Sequence, residues 1–250
     1  MRHGFSLVEL SIVLVILGLL TGGILTGQSL IRAAELRGVV TELQRFQTAT
    51  RSFQDKYFAI PGDMRNATDF WGVAHATPTT CATTASTDAK TCNGDGDGII
   101  EHTVLNATSN EQFRFWQHLA NAGLIEGNYT GIAGSTGNHD HVIFGTNTPK
   151  SKLSNAGWSV RYWSSIQFVR LEHAFNLGAA STASTNNGAI LKAEEMWSVD
   201  TKMDDGKPAT GKIRPNDITH PNCVTNTTST AAYQLSDSNT ACALLFLAVK

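Results

Sequence analysis

The stretch FSLVELSIVLVILGLLTGGIL, residues 5–25, constrains this chain more than any other feature. It has the length, ~20 residues, of an apolar helix that crosses a bilayer. One of them is Glu9, and a carboxylate at membrane depth costs on the order of 2.5–3.5 kcal/mol on insertion scales, so it calls for a cationic partner or a function. Arg2 and the initiator amine precede the run as they would in a secretory signal, but no small-x-small cleavage site follows and Glu9 interrupts the apolar core. Neither a plain signal peptide nor a plain anchor accounts for the segment.

The helical pattern continues past the apolar run. Leu36, Val39, Val40, Leu43, Phe46, Thr50, Phe53 and Tyr57 recur at three- and four-residue steps, with Glu35, Arg37, Glu42, Arg45 and Arg51 on other faces. Ile60, Pro61 and Gly62 close the pattern, since proline has no amide with which to continue a helix. An unbroken helix over residues 5–57 is on the order of 80 Å long at 1.5 Å per residue. Its second half therefore packs on a globular head. Gly18, Gly22, Gly23 and Gly27 either weaken the helix where it leaves the membrane or allow close helix packing within it.

The order leader, Gly4, Phe5, then Glu9 within GFSLVELSIVLVILGLL resembles the class III signal of type IV prepilins and type II secretion pseudopilins. The resemblance covers the first 25 to 30 residues, in which Ser6, Leu7 and Val8 also follow the family pattern. It implies cleavage between Gly4 and Phe5 by a prepilin peptidase and N-methylation of Phe5. It also implies assembly into a helical filament in which Glu9 pairs with the Phe5 amine of a neighbouring subunit. Such a pair sets register more than it adds affinity. The implied location is the bacterial inner membrane, single-pass with the head in the periplasm, and after assembly a periplasmic or cell-surface filament. The implied partners are other pilin or pseudopilin subunits and the inner-membrane assembly machinery. Positive-inside counting does not support this orientation, because only Arg2 precedes the run whereas Arg32, Arg37 and Arg45 follow it.

The expected organisation is a leader at 1–4, a transmembrane and assembly helix at 5–25, an amphipathic spine at 26–60 and an extracytoplasmic head at 61–250. The head is rich in Thr, Ser, Asn and Gly, a composition of turns and short strands. In PGDMRNATDFWG a turn leads to a segment whose Phe70 and Trp71 pack on the spine. Helices are predicted at 110–122, ended by Gly123, and at 192–204, ended by Gly206; HVIFG, WSVRYW and ACALLFLAV read as strands. The fold class is α+β, a pilin-like lollipop with antiparallel strands against a long N-terminal helix. Four cysteines allow three pairings, and their short separations favour Cys81 with Cys92 and Cys223 with Cys242, which places the head in an oxidising compartment.

The sharpest chemical pattern is NGDGDGIIE, residues 93–101. Asn93, Asp95 and Asp97 alternate oxygen ligands, Gly98 permits a tight turn, and the Ile99 carbonyl and Glu101 follow, as in the first part of an EF-hand calcium loop. The twelfth position is Val104 where a bidentate Glu is required, so a structural Ca²⁺ needs a ligand from elsewhere, with Glu111 the candidate. A metal-free polar turn is the simpler alternative. Asp204 and Asp205 read as a helix end and turn, with Asp200 nearby, and His139, Asp140 and His141 as a surface loop lacking a third zinc ligand.

Net charge is −2 with 16% charged residues, which leaves no footprint for nucleic acid. Gly-rich phosphate loops, nucleophile elbows and His-Glu-x-x-His motifs are missing from the sequence, so no enzyme is expected and no cofactor is required. The leading expectation is a structural filament subunit. The alternative is a stationary membrane-anchored module that binds carbohydrate or protein.

Overall fold

A computed structural model of the chain describes residues 6–101, 110–134, 140–163, 172–181, 185–216 and 222–247. It is built on α1, a single helix over Leu7–Tyr57. Ser6 caps its start, and the chain leaves it at Phe58, whose backbone is left-handed (φ 53°) and whose N–H donates to the Gln54 carbonyl at 2.8 Å. The helix thus ends just ahead of the predicted Ile60-Pro61-Gly62 stop, because a left-handed residue already turns the chain away.

Val39, Leu43, Phe46, Ala49, Thr50 and Phe53 form the buried stripe of α1. The head closes on this stripe with two short helices, α2 (Ala67–Trp71) and α3 (Pro78–Ala82), and two longer ones, α4 (Glu111–Asn121) and α5 (Ala193–Met203). The predicted terminators hold, since Gly123 and Gly206 both take positive φ (71° and 70°) just past the ends of α4 and α5.

The main sheet has the order β1-β2-β6-β4, built from β1 (Ala156–Trp163), β2 (Glu172–Ala179), β6 (Leu244–Leu247) and β4 (Ile213–Pro215), all antiparallel. A smaller pair joins β3 (Leu191–Lys192) to β5 (Thr240–Cys242). Side chains alternate across the main sheet as the pleat requires. Trp158, Val160, Phe175, Leu177, Leu244 and Phe246 enter the main core, whereas Trp163, Ala174, Leu245 and Leu247 form a separate cluster on the other face. WSVRYW is therefore a strand, and ACALLFLAV is divided between β5 and β6. HVIFG is not a strand: its backbone is tied into a turn, with Thr146 and Asn147 N–H both bonded to the Ile143 carbonyl.

Aromatic rings join spine, α4 and sheet. Phe46 meets Trp116 edge-on at 5.0 Å and Trp158 at 5.6 Å, and Phe115 meets Phe175 at 5.8 Å. Polar ties lock the same register. Glu42 of α1 accepts from Trp158 Nε1 (2.8 Å), Ser151 Oγ (2.6 Å) and Lys152 N–H (2.7 Å). Lower on the helix, Arg32 donates to Glu195 of α5 at 2.5 and 2.8 Å and to the Ile190 carbonyl. Both expected disulfides are present, Cys81–Cys92 and Cys223–Cys242. Asp140, expected on a surface loop, is instead buried, accepting from Gln112 Nε2 at 2.9 Å and facing Arg161 at 3.5 Å. A buried guanidinium has to be paired, and Asp140 does so. His139 lies outside the described residues.

Candidate metal centre and the N-terminal helix

Between Glu9 and Arg32 the chain has no charged residue, and the large apolar side chains from Leu7 to Ile31 are all exposed. This helix is long and apolar enough to cross a membrane, and its apolar stretch is not buried against the described residues. Added Cβ atoms at Gly18, Gly22, Gly23 and Gly27 would meet nothing. An apolar face of this size needs lipid or other helices to cover it.

Glu9 sits in the first turn of this helix and already has a local partner. Its Oε2 accepts the Ser6 N–H at 2.9 Å while Ser6 Oγ accepts the Val8 N–H at 3.3 Å, a reciprocal capping box. The signal for it was legible as S-x-x-E in SLVE, where the cap satisfies otherwise orphaned amides. Gly4 and Phe5, the expected cleavage and methylation positions, lie outside the described residues.

In the head, three carboxylates from distant parts of the sequence converge. Asp63 follows the turn after α1, Asp95 lies in the Asp/Gly loop, and Glu111 is the first residue of α4; their oxygens lie within 4.8 Å of one another. Asp95, Asp97 and Glu101 form a second, overlapping group of the same closeness. The two groups thus bring together the carboxylates of Asp95, Asp97 and Glu101 and of the outside candidate Glu111. Asn93 turns elsewhere, its Oδ1 accepting the Thr68 N–H of α2 at 2.9 Å. The Ile99 N–H donates to Asp97 Oδ1 at 2.7 Å. Val104 lies outside the described residues.

Asp63 was not foreseen. It sits in the PGD turn, far from the loop in sequence, and only the close approach of the two segments brings it in. A Cβ on Gly94 would fall 2.5 Å from the Asp63 backbone, so a side chain there is incompatible with this packing. The two buried carboxylates grip the loop through its amides. Asp63 accepts from Gly96 N–H at 2.5 Å and Gly98 N–H at 3.0 Å, and Glu111 accepts from Asp95 N–H at 3.1 Å and Glu101 N–H at 3.3 Å. Gly98 holds φ 89°, the positive value that the predicted tight turn requires.

Among the described residues, Asp63, Asp95 and Glu111 form no ion pair. Burial pushes Asp63 up to about 6 against the pull of the Gly98 and Gly96 amides, with Asp97 and Asp95 pushing further. Burial likewise pushes Glu111 up to about 8, with Asp63 and Asp95 adding to the rise. Buried anions without a cation are costly, and an all-oxygen donor set of this kind suits a hard divalent ion, Ca²⁺ or Mg²⁺, and not Zn²⁺.

A third acidic group, Asp200, Asp204 and Asp205, is the helix end and turn that was expected. Asp200 accepts from Tyr233 Oη at 2.7 Å and from Gly206 N–H at 3.2 Å; Asp204 accepts from Ile213 N–H at 3.1 Å; Asp205 accepts from Lys207 N–H at 2.9 Å. Each carboxylate has a structural task in closing the loop after α5.

No curated protein and no solved structure matches the chain significantly. Residues 1–25 match the family model described as the prokaryotic N-terminal methylation motif, so this chain opens with the prepilin-type signal of type IV pilin and pseudopilin precursors.

Proposed function

We propose that this chain is a structural subunit of a type IV pilus or type II secretion filament, cut after Gly4, N-methylated on Phe5 and assembled through α1. The observation that carries this function is the exposed apolar half of α1, continuous with a helix that the head grips from Arg32 onward and preceded by the methylation motif. In the membrane, lipid covers the apolar half. In a filament, other copies of α1 do.

Cleavage before Phe5 leaves Ser6 N–H as a peptide amide, so the capping box of Glu9 survives processing. Glu9 then has two roles open to it, capping its own helix and meeting the freed Phe5 amine of a neighbour. Only the second depends on cleavage. Blocking cleavage at Gly4 or replacing Glu9 with Ala is expected to leave a stable membrane protein that fails to enter sheared fibres. Normal incorporation of both variants would count against the proposal. The motif also supports a structural and not a catalytic subunit.

A second component concerns the Asp/Gly loop. We infer that one Ca²⁺ binds at Asp63, Asp95 and Glu111, with Asp97 and Glu101 at its exposed side, and fastens the loop already closed by Cys81–Cys92. Convergence of two buried carboxylates on a loop carboxylate supports this. Calorimetry on the full chain in detergent is expected to show one calcium site that disappears in Asp95→Ala. No heat from the unmutated chain would end the idea.

A further inference from the structure

We propose that the cleft beside the Asp/Gly loop is a binding site for a uronate, a sugar that carries a carboxylate. The site goes beyond the filament function, and its calcium dependence rests on the metal site inferred above. The cleft has a volume of about 510 Å³, within the roughly 300–1,000 Å³ of small-molecule sites. It opens between the end of α2, the segment 75–82, the Asp/Gly loop and the start of α4. Its walls are tied to one another. Cys81–Cys92 joins the segment to the loop, and Asn110 Nδ2 and Arg114 Nη2 donate from α4 to the Ala82 carbonyl at 2.7 and 3.3 Å.

Arg114, on the cleft wall, is a buried cation without an anion. It is 2% exposed, and its Nη1 and Nη2 donate only to neutral oxygens, Gln117 Oε1 at 3.3 Å and the Cys81 and Ala82 carbonyls at 2.9 and 3.3 Å. Among the described residues, its Nε–H has no acceptor and its guanidinium forms no ion pair. Burial lowers its pKa to about 10, with Glu111, one turn earlier on α4, pulling the other way. Arg161, the other deeply set guanidinium of the head, has Asp140 at 3.5 Å. Leaving a buried charge unpaired is costly, so Arg114 calls for an anion from outside the chain.

A guanidinium matches a carboxylate in two parallel hydrogen bonds. The cleft is far larger than a bare anion needs, so the carboxylate belongs to an organic molecule. Thr68 Oγ1, Thr79 Oγ1 and Asn93 Nδ2 are further groups on its walls without a partner among the described residues, and Val73 and Pro78 add an apolar surface. A sugar ring offers hydroxyls to the first set and an apolar face to the second. Besides Arg114, the charged or titratable side chains on the walls are His75, Asp95 and Glu111. Asp95 and Glu111 repel an anion while they are bare. Calcium on these two carboxylates removes the repulsion and leaves Arg114 and the positive end of α4 without an offset. Uronate and calcium therefore each raise the affinity for the other by the same factor.

Calorimetry on the full chain in detergent, with galacturonate as the probe, tests this, the heat of galacturonate in calcium buffer alone being subtracted. With calcium present, galacturonate is expected to bind about tenfold more tightly than methyl galactoside, which keeps the hydroxyls without the carboxylate, and chelator is expected to weaken it about tenfold. Arg114→Gln is expected to remove the preference for galacturonate, with both disulfides on non-reducing gels and an unchanged calcium heat as the check that it folds. Ala76→Trp fills the cleft from an exposed wall and is expected to abolish galacturonate binding with the calcium heat unchanged. Galacturonate that binds no more tightly than methyl galactoside, or binds Ala76→Trp as well as the unmutated chain, overturns the site; a calcium heat in the same experiment leaves the metal site standing. Galacturonate bound equally with and without chelator, with no calcium heat, supports the cleft and overturns its calcium dependence together with the metal site. Absence of both heats overturns both.

Discussion

His118 is wholly buried on α4, stacked 6.3 Å from Phe53 and close to Trp71, and it works as a neutral connector. Its Nδ1 accepts the Gly62 N–H at 3.0 Å, which leaves the ring proton on Nε2, 3.0 Å from Thr91 Oγ1; that hydroxyl in turn donates to Gln117 Oε1 at 2.7 Å. Burial, with the Arg114 charge nearby, lowers its pKa to about 3. An unfolded histidine takes its proton near pH 6.5, so between pH 6.5 and 3 the unfolded chain binds the extra proton and folding stability falls as pH falls. The loss from this group is about 2 kcal/mol at pH 5, from ~1.4 kcal/mol per pH unit. His118→Asn, which keeps an acceptor for Gly62, is expected to flatten urea-denaturation stability over this window relative to the unmutated chain. An unchanged pH slope would contradict a neutral His118. Glu42 makes a second residue-scale case. Glu42→Ala strands Nε1 of the buried Trp158, at roughly 1–3 kcal/mol for a buried group left unpaired, and urea denaturation is expected to register a loss of that order. Neither role was legible in the sequence, where His118 and Glu42 sit on helices among other polar residues and only the tertiary fold supplies their partners.

At the scale of elements, the long-period patterns were readable and the short ones were not. The apolar stripe of α1, the extents of α4 and α5 and the strand WSVRYW all follow from repeating side-chain spacing. By contrast, β2 carries EHAFNLGA, which mixes charge, amide and glycine, and becomes a strand because it lies between β1 and β6 with Phe175 and Leu177 facing the core. HVIFG shows the reverse error, since apolar residues with β propensity are overridden by the turn around Asn147, whose side chain binds the Ile143 N–H and the Ile132 and His141 carbonyls. The Asp/Gly loop falls between these cases. Its glycines and alternating carboxylates were visible, whereas Asp63 required the fold. Because Asp63 and Glu111 resist ionisation when buried, their charge is what a bound cation would relieve. Adding excess calcium to the chelator-treated chain at pH 8 is expected to raise its melting temperature by several degrees, in line with about 2.7 kcal/mol at a hundredfold excess over Kd. Asp95→Ala is expected to abolish the shift, and equal shifts in both chains would place calcium elsewhere.

Among the described residues, the molecule is one continuous helix with a head packed on its second half and the first half left exposed. That division was readable in the sequence, because charge is absent between Glu9 and Arg32 and amphipathic spacing begins after it. A molecule whose apolar half-helix is exposed is suited to bury it in lipid or against other copies of itself. Every step of that account depends on one covalent event, the removal of residues 1–4. Mass spectrometry of the mature N-terminus tests it most directly. An N-methylated Phe5 is the predicted first residue; a mature chain that still begins at Met1, or at any other residue, would contradict the account.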